Sequence, residues 1–286
     1  MTMTETDRIS IRPLDAPLGA EVIGDINGDL SGVDIFTILD AFRTHQMLVI
    51  KEQPISDQRL LEIAGWFGPQ FVAGDIPVLG TDEQGEVTVL SNDDEIGVGS
   101  RKALPFHSDF QFLPEPLKGA ALHAVQVPPV EAGGNTSWSN LYMALDELDP
   151  EVRAKLDGVQ GVGINPYANG LGGAGFTGDS QKYTDKPVPD FPHPMIRTHP
   201  ETGRQSLYFS MFIIKLLGLE DPSEEAELLD VLRAHVDQDR FYYHHEWSVG
   251  DTIIWDNRCT NHKRAEFDLA YPREVHRVQI AGNAPF

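Results

Sequence analysis

Short β-forming runs separated by turns fill the chain after residue 87, and this pattern constrains the fold more than any other feature. Gly203 and Gly250 mark two of the turns. Such a succession is typical of antiparallel strands in a sandwich or barrel. We predict strands at residues 87–90, 119–127, 195–198, 205–209, 241–247, 252–255 and 274–280. The expected fold class is mainly β with flanking helices, a jelly roll.

Helical patterns flank and interrupt these strands. Apolar residues follow helical spacing over residues 35–42 after Ser31, and residues 47–51 predict a buried strand. Ser56 is a suitable N-cap for a helix that Gly68 ends. Two more helices are predicted at residues 141–156 and 223–235. No repeat and no linker divides the chain, so we predict a single domain over residues 1–286.

Residues 165–194 are rich in Gly and Pro and lack hydrophobic periodicity. The segment is much longer than an ordinary loop, so it is either a lid over a site or disordered. We favour an active-site lid.

The charge of the chain narrows the class of partner. With 44 acidic and 22 basic residues the formal net charge is −22, which disfavours nucleic acid and anionic membranes. The lone Cys259 excludes an internal disulfide framework. The first residues do not resemble a secretory signal, and no apolar stretch is long enough to span a bilayer. We therefore expect a cytoplasmic protein; a homo-oligomer is compatible with the sequence.

Two H-x-D triplets occur, and only one can close on a metal ion. His235 and Asp237 lie at the end of a predicted helix, where residues two apart point in nearly opposite directions. His107 and Asp109 are flanked by Pro105, Phe106 and other residues that indicate extended chain, where side chains two apart share a face. Two imidazoles and one carboxylate form an open non-haem Fe(II) site. The second imidazole is assigned to His262, which we place where the strand at 252–255 opens into a loop.

Arg273 and Arg277 follow His262 and lie four apart in a predicted strand, so both should point to one face. A guanidinium matches a carboxylate bidentately, which predicts carboxylate binding, although surface salt bridges are the plain alternative. The remaining candidates are weaker. The His244-His245-Glu246 run has no third ligand at a recognisable spacing, and Cys259 beside His262 is weak evidence for a nucleophile. Structural hydrogen bonds are the expected role of His123, His193, His199 and His276.

Together these residues resemble the taurine dioxygenase and 2,4-dichlorophenoxyacetate dioxygenase family of Fe(II)/2-oxoglutarate oxygenases. The similarity spans nearly the whole chain, and its motifs are specific only in combination. They are Ile11-Arg12-Pro13-Leu14, the run at 19–24, Phe106-His107-Ser108-Asp109, Gly133-Gly134-Asn135-Thr136, Arg197-Thr198-His199-Pro200, Trp255-Asp256-Asn257-Arg258 and the run at 272–277.

The resemblance implies a role for each matching residue. It makes His107, Asp109 and His262 the iron ligands and the catalytic centre. Thr136 and Arg273 would bind the distal carboxylate of 2-oxoglutarate. Arg277 would meet the anionic group of the prime substrate, and Phe212 would form an aromatic wall of its pocket. The implied fold is the double-stranded β-helix.

The resemblance also implies the reaction. The cofactors would be Fe(II), 2-oxoglutarate as cosubstrate and O2, with release of succinate and CO2 and, most simply, hydroxylation of a small anionic molecule. Asp109 argues against halogenation, because related halogenases lack this carboxylate. Taurine is an unexpected substrate, since taurine-specific members have a histidine where this chain has residues 70–73 and an asparagine where it has Ala103.

Three alternatives stay open at this point. One is a non-catalytic jelly-roll binding protein, and another is a desaturating or isonitrile-forming oxidase on the same iron site. A hydrolytic zinc enzyme with the same ligands is disfavoured, because it would give Thr136 and Arg273 no role.

Overall fold

The structure is a computed structural model that describes residues 8–71, 86–93, 103–164 and 191–286. The α-helices in these ranges are α1 (Gly32–His45), α2 (Asp57–Phe67), α3 (Leu141–Asp146), α4 (Pro150–Lys155) and α5 (Glu225–Val236). The strands are β1 (Ser10–Pro13), β2 (Ala20–Ile23), β3 (Met47–Ile50), β4 (Thr88–Ser91), β5 (Leu104–His107), β6 (Gly119–Gln126), β7 (Thr136–Asn140), β8 (Gln160–Gly163), β9 (Pro192–Pro194), β10 (Ile196–Thr198), β11 (Gln205–Leu207), β12 (Ile213–Leu217), β13 (Tyr242–His245), β14 (Thr252–Asp256), β15 (Thr260–Arg264) and β16 (Glu274–Ile280). None of the described helices is both long and apolar enough to cross a bilayer.

Two sheets form the body of the molecule. Seven strands pair in the order β1-β2-β3-β14-β6-β16-β4, and four pair in the order β13-β7-β15-β5. Neighbouring strands in these sheets are antiparallel, except that β2 and β3 are parallel. The remaining strands form two small sheets, β12-β8-β9 and β10-β11.

Alternate residues along the seven-stranded sheet pack into two different cores. In β3, Leu48 and Ile50 pack with apolar residues of α1 and α2. Met47 and Val49 point the other way and share a core with Trp138 of the four-stranded sheet. The period of two is that of a strand buried on both faces. The two main sheets therefore face each other, and α1 and α2 cover the outer side of the larger one.

Helices also cover the outer side of the four-stranded sheet. Phe106 of β5 and Tyr242 of β13 share a core with leucines of α3 and α5. Because Phe106 points outward, its neighbour His107 points between the sheets. The layered arrangement leaves the space between the sheets for polar and ligand-binding side chains.

The predicted early helices are confirmed with their caps. Ser31 caps α1, where its hydroxyl accepts from the Asp34 N–H and the Asp34 carboxylate accepts from the Ser31 N–H, a capping box. Ser56 caps α2 by its hydroxyl alone, which accepts from the Arg59 N–H. The predicted helix at 223–235 is present as α5, preceded by a short 3-10 turn at Pro222–Glu224.

The single helix predicted at 141–156 is wrong. The chain forms α3, leaves the helical conformation after Asp146, and starts again as α4 at Pro150. Asp149 caps α4 by accepting from the N–H groups of Glu151 and Val152. Proline has no N–H to continue a helix and fits the first position of a new one, which explains the break.

The strand predictions are confirmed in place with small shifts, apart from residues 195–198, which begin between β9 and β10. Seven strands were not predicted: β1, β2, β7, β8, β9, β12 and β15. Residues of β5 were predicted only as extended chain. Residues 165–190 of the predicted lid lie outside the described residues, while Pro192–Pro194 form β9 rather than loop.

Candidate active site

The three predicted metal ligands lie together between the two main sheets. His107 ends β5 and is the direct cross-strand partner of His262 in β15, with the ring centroids 4.1 Å apart. Asp109 Oδ1 is 3.5 Å from His107 Nε2 and 3.9 Å from His262 Nε2. One ligand atom from each residue lies within 4.8 Å of the others. All three side chains are buried.

Two of our reasons for choosing these residues were wrong, although the residues do meet. The extended chain stops at His107; Asp109 lies in a turn, and Phe110 has a φ of 55°. The turn, rather than the period of a strand, therefore brings Asp109 beside His107. His262 lies within β15 and not in a loop. Residues 260–264 are too polar to suggest a strand, which is why this position was missed.

Asn257 holds the turn that carries Asp109. Its Oδ1 accepts from the Asp109 N–H at 3.2 Å, and its Nδ2 donates to the Asp109 carbonyl at 3.0 Å. The Ser108 hydroxyl donates to the Asn257 carbonyl at 3.1 Å. Asn257 is completely buried, so these bonds are shielded from water. Sequence reasoning gave Asn257 no role, although it belongs to one of the motifs of the resemblance.

The donor set fits a divalent cation. His107 Nδ1 donates to the Pro105 carbonyl at 2.8 Å, which directs Nε2 toward Asp109. Burial and the neighbouring His107 lower the pKa of His262 to about 3, so its imidazole is neutral and able to ligate. Within the described part of the chain, the buried Asp109 Oδ2 has no hydrogen-bond partner.

Asp109 is also held in its charged form. Burial alone would raise the pKa of this carboxyl, but the His107 side chain and the Arg277 guanidinium outweigh burial and bring the pKa below its usual range. The Arg277 guanidinium contributes through Nη1, 3.6 Å from Asp109 Oδ2. One ionised carboxylate with two imidazoles is the ligand set that non-haem Fe(II) prefers.

A buried guanidinium lies in the same cavity. Arg273 stands just before β16 rather than within it, and its backbone N–H donates to Asn92 Oδ1 at 2.8 Å. Burial and the charge of Arg264 lower the pKa of Arg273 to about 9, which still leaves it cationic at neutral pH. Its Nε has no hydrogen-bond partner among the described residues. A buried cation in this state needs an anionic ligand.

Thr136 begins β7 and lines the same cavity as Arg273. The indole Nε1 of Trp247 donates to Thr136 Oγ1 at 2.9 Å. Because the hydroxyl oxygen accepts this bond, its own hydrogen is available to a ligand in the cavity.

A family profile described as "Taurine catabolism dioxygenase TauD, TfdA family" matches residues 10–279. The chain belongs to this family. Like its relatives, this TauD/TfdA-family protein is a 2-oxoglutarate-dependent dioxygenase that uses Fe(II) and O2. The predicted enzyme class and cofactors are thereby confirmed.

Curated and structural relatives match the TauD/TfdA chain over nearly its full length. An (S)-phenoxypropionate/alpha-ketoglutarate-dioxygenase from Sphingobium herbicidovorans is 31% identical, covering 96% of this chain and 95% of the relative. A taurine dioxygenase structure from Burkholderia xenovorans has a TM-score of 0.78 at 28% identity, covering 97% of this chain and 92% of that one. The structure of AAD-2 with Mn(II) and N-oxalylglycine has a TM-score of 0.77 at 29% identity, covering 97% and 98%. These neighbours confirm the jelly-roll prediction.

The cavity of this TauD/TfdA-family enzyme is lined by both polar and apolar side chains. It has a volume of about 100 Å³. The ring of Phe212 lies 5.6 Å from that of His107, close to the metal ligands. The other apolar side chains of the wall come from both sheets and nearby loops: Leu90, Leu104, Phe110, Phe112, Leu122, Ile164 and Trp255.

Arg264 is a lining residue that sequence reasoning missed. It lies in β15 two residues after His262, so it shares the inward face with that ligand. The sequence does show a basic residue two positions after His262. Its side chain is expected to face the cavity only if residues 260–264 are assigned to a strand, and they were not.

The other titratable clusters are structural in the described residues. His199 Nε2 donates to Asp256 Oδ2 at 3.0 Å, and the same carboxylate accepts from Arg258. Cys259 lies near enough to complete a set of metal-ligand atoms with them, but the His199 and Asp256 groups are already hydrogen-bonded. Structural roles are likewise confirmed for His123, His193 and His276, which bond Thr252, the Leu113 carbonyl and Glu274.

Proposed function

We propose that His107, Asp109 and His262 hold Fe(II), and that Arg273 and Thr136 bind the distal carboxylate of 2-oxoglutarate. The observation that carries this assignment is that one cavity contains the His-Asp-His triad and the buried Arg273 guanidinium, which has no acidic partner among the described residues. When bound, Fe(II) supplies the centre at which O2 and 2-oxoglutarate react to succinate and CO2 with oxidation of a substrate C–H bond. The protein residues supply position, charge and exclusion of water.

The substrate is, in our proposal, a small molecule with one anionic group and an apolar body. Arg277 lies beside the metal carboxylate, so an anion bound there places the adjoining carbon near the metal. Phe212 and Ile164 offer the apolar body a wall without charge. The Sphingobium relative is named for phenoxypropionate, which has this construction.

Taurine fits this cavity poorly. Its ammonium group would need an acidic or carbonyl partner, yet Asp109 is the one acidic side chain among the described lining residues. That carboxylate is assigned to the metal. We therefore expect carboxylates or sulfates with apolar substituents to be oxidised, and hydroxylation to be the outcome.

The decisive experiment is a succinate-release assay with Fe(II), 2-oxoglutarate and a panel of aryloxy and alkyl carboxylates, sulfonates and sulfates. We expect one anionic, apolar group of compounds to raise succinate release and to be recovered in oxidised form. His107→Ala should abolish both Mn(II) binding and turnover, and Arg277→Gln should raise KM for the prime substrate about tenfold or more. Stimulation by taurine, or by a cationic compound, would overturn the substrate assignment.

The metal assignment has its own control. His244→Ala removes an exposed histidine that bonds Ser137 on the outer face of the sheet, away from the cavity. This variant should bind Mn(II) like the parent protein. Equal Mn(II) affinity of the parent and His107→Ala would show that the metal binds elsewhere.

A further inference from the structure

Arg264 occupies a defined position at the cosubstrate end of the cavity. In the register of the four-stranded sheet it lies directly opposite Thr136 of β7 on one side and Leu104 of β5 on the other. Directly opposed residues of antiparallel strands share a face. Arg264 and Thr136 therefore point into the same end of the cavity, and both line it.

The neighbouring Lys263 shows that this orientation is specific. Its Nζ lies 4.5 Å from the ring centroids of both Phe106 and Tyr242, on the outer face of the sheet. The alternation of β15 thus turns one basic residue outward and the next one inward.

Arg264 and Arg273 form a pair of like charges. Their guanidinium carbons lie 5.8 and 5.9 Å from the ring centroid of Phe267, and the charge of Arg264 contributes to the lowered pKa of Arg273. Burial lowers the pKa of Arg264 itself to about 10, so it too is cationic at neutral pH. Both guanidinium groups line the cavity and can face one bound anion.

The neighbours of the cavity arginines indicate which anionic group each of them meets. Arg277 lies beside the metal ligand Asp109, whereas Arg264 lies opposite Thr136 and close enough to Arg273 for its charge to lower the pKa of that residue. The resemblance to the family assigns the distal carboxylate to Thr136 and Arg273 alone. Arg264 adds a second guanidinium on the β15 side of the same position.

We propose that Arg264 donates a second guanidinium contact to the distal carboxylate of 2-oxoglutarate, and so acts as a positioning residue that selects a dicarboxylate cosubstrate. The inference rests on the proposed placement of that carboxylate at Arg273. Two arginines and one hydroxyl around a carboxylate favour a charged terminal group over a neutral one of similar size.

The test compares two cosubstrates in anaerobic calorimetric titrations of the Mn(II)-loaded protein. The first is 2-oxoglutarate, and the second is 2-oxopentanoate, which has a methyl group in place of the distal carboxylate. Arg264→Gln should raise the Kd of 2-oxoglutarate about tenfold or more and leave the Kd of 2-oxopentanoate unchanged. Arg264→Lys should fall between, because an ammonium keeps the charge without the fork. In turnover, Arg264→Gln should raise KM for 2-oxoglutarate with kcat retained at saturation.

Control variants distinguish an error in the role of Arg264 from an error in the proposed cosubstrate site. Arg12→Gln removes an exposed guanidinium paired with Glu21 and should leave both Kd values unchanged. If Arg273→Gln does not weaken 2-oxoglutarate binding, the proposed cosubstrate site itself is wrong. If Arg273→Gln weakens binding and Arg264→Gln does not, only the role of Arg264 is wrong. Equal weakening of both cosubstrates, or a rise in KM of the prime substrate alone, would also overturn it.

Discussion

At the scale of single residues, the site depends on side chains that do not themselves ligate. Asn257 bonds the backbone of Asp109 on both its N–H and its carbonyl, and His107 Nδ1 is fixed by the Pro105 carbonyl. Such bonds set ligand direction and tautomer before any metal arrives. The geometry of the triad is therefore built by neighbours that the metal never touches.

Asn257→Ala should test this dependence. We expect Mn(II) affinity to fall by about tenfold or more, and the free energy of unfolding of the metal-free protein to fall by about 2 kcal/mol, since buried partners lose their hydrogen bonds. Calorimetric titration and chemical denaturation measure the two quantities. Asn283→Ala, which removes an exposed amide bonded to its neighbouring carbonyl, is the matched control. Unchanged Mn(II) affinity in Asn257→Ala would contradict the positioning role.

At the scale of elements, an ionisable contact joins helix α2 to strand β16. His276 bonds Asp57 at the start of α2 and Glu274 on its own strand. Burial alone would lower the pKa of His276, but these two carboxylates outweigh it and raise the pKa above its usual value. Because the folded protein then holds the proton more tightly than the unfolded chain, the contact stabilises the fold most when the histidine is protonated.

The pH dependence follows from this sign. The contribution should be fully present below about pH 6.5, the value for an unfolded histidine, and should be lost as the pH rises through the higher folded-state pKa. His276→Gln should thus lower the free energy of unfolding by about 0.5–1 kcal/mol more at low than at high pH, a small value because the Asp57 side chain is half exposed. Denaturation curves at about pH 6 and 9 measure it, and Asp57→Asn should remove part of the same dependence. An equal loss at both pH values would refute this account.

Strands with apolar sequences can be predicted from the sequence, whereas strands with polar sequences cannot. Strand β14 and β16 were predictable because Ile253, Val275 and Val278 pack into cores. Strands β7 and β15 were not, because their inward faces carry the site and their sequences are polar. The residues to which the resemblance assigns a role were found from the sequence. The roles of Arg264 and Asn257 were not, because they depend on strand register and on a turn that no local pattern reveals.

At the scale of the whole molecule, charge is distributed unevenly. The chain as a whole has a formal net charge of −22, yet three arginines line its cavity: Arg264, Arg273 and Arg277. An anionic ligand is therefore repelled at long range and attracted at short range. Salt weakens the long-range repulsion more than the short-range attraction, because the guanidinium groups in the cavity are shielded from solvent.

Ionic strength should consequently change the association rate. Raising the salt concentration from about 0.01 M to about 0.15 M should increase the rate constant for 2-oxoglutarate binding, since the Debye length falls from about 30 to about 8 Å. Anaerobic stopped-flow mixing with the metal-loaded protein measures this constant. The methyl ester at the distal carboxylate carries one negative charge instead of two, so it should show a weaker dependence. A rate constant that falls with salt would mean that the cavity charge dominates approach.

One irregularity in the sheet affects how this enzyme can change over evolutionary time. His107 of β5 pairs with His262 of β15, and Leu104 pairs with Arg264. Between these two pairs, β5 has one residue more than β15. This extra residue is what allows both His107 and Leu104 to face the cavity, although they are three apart. Deleting it would carry a different side chain to the position of Leu104 while His107 kept its partner. The range of accepted substrates can thus be altered by a change in length at the edge of the sheet, with the metal ligands left in place.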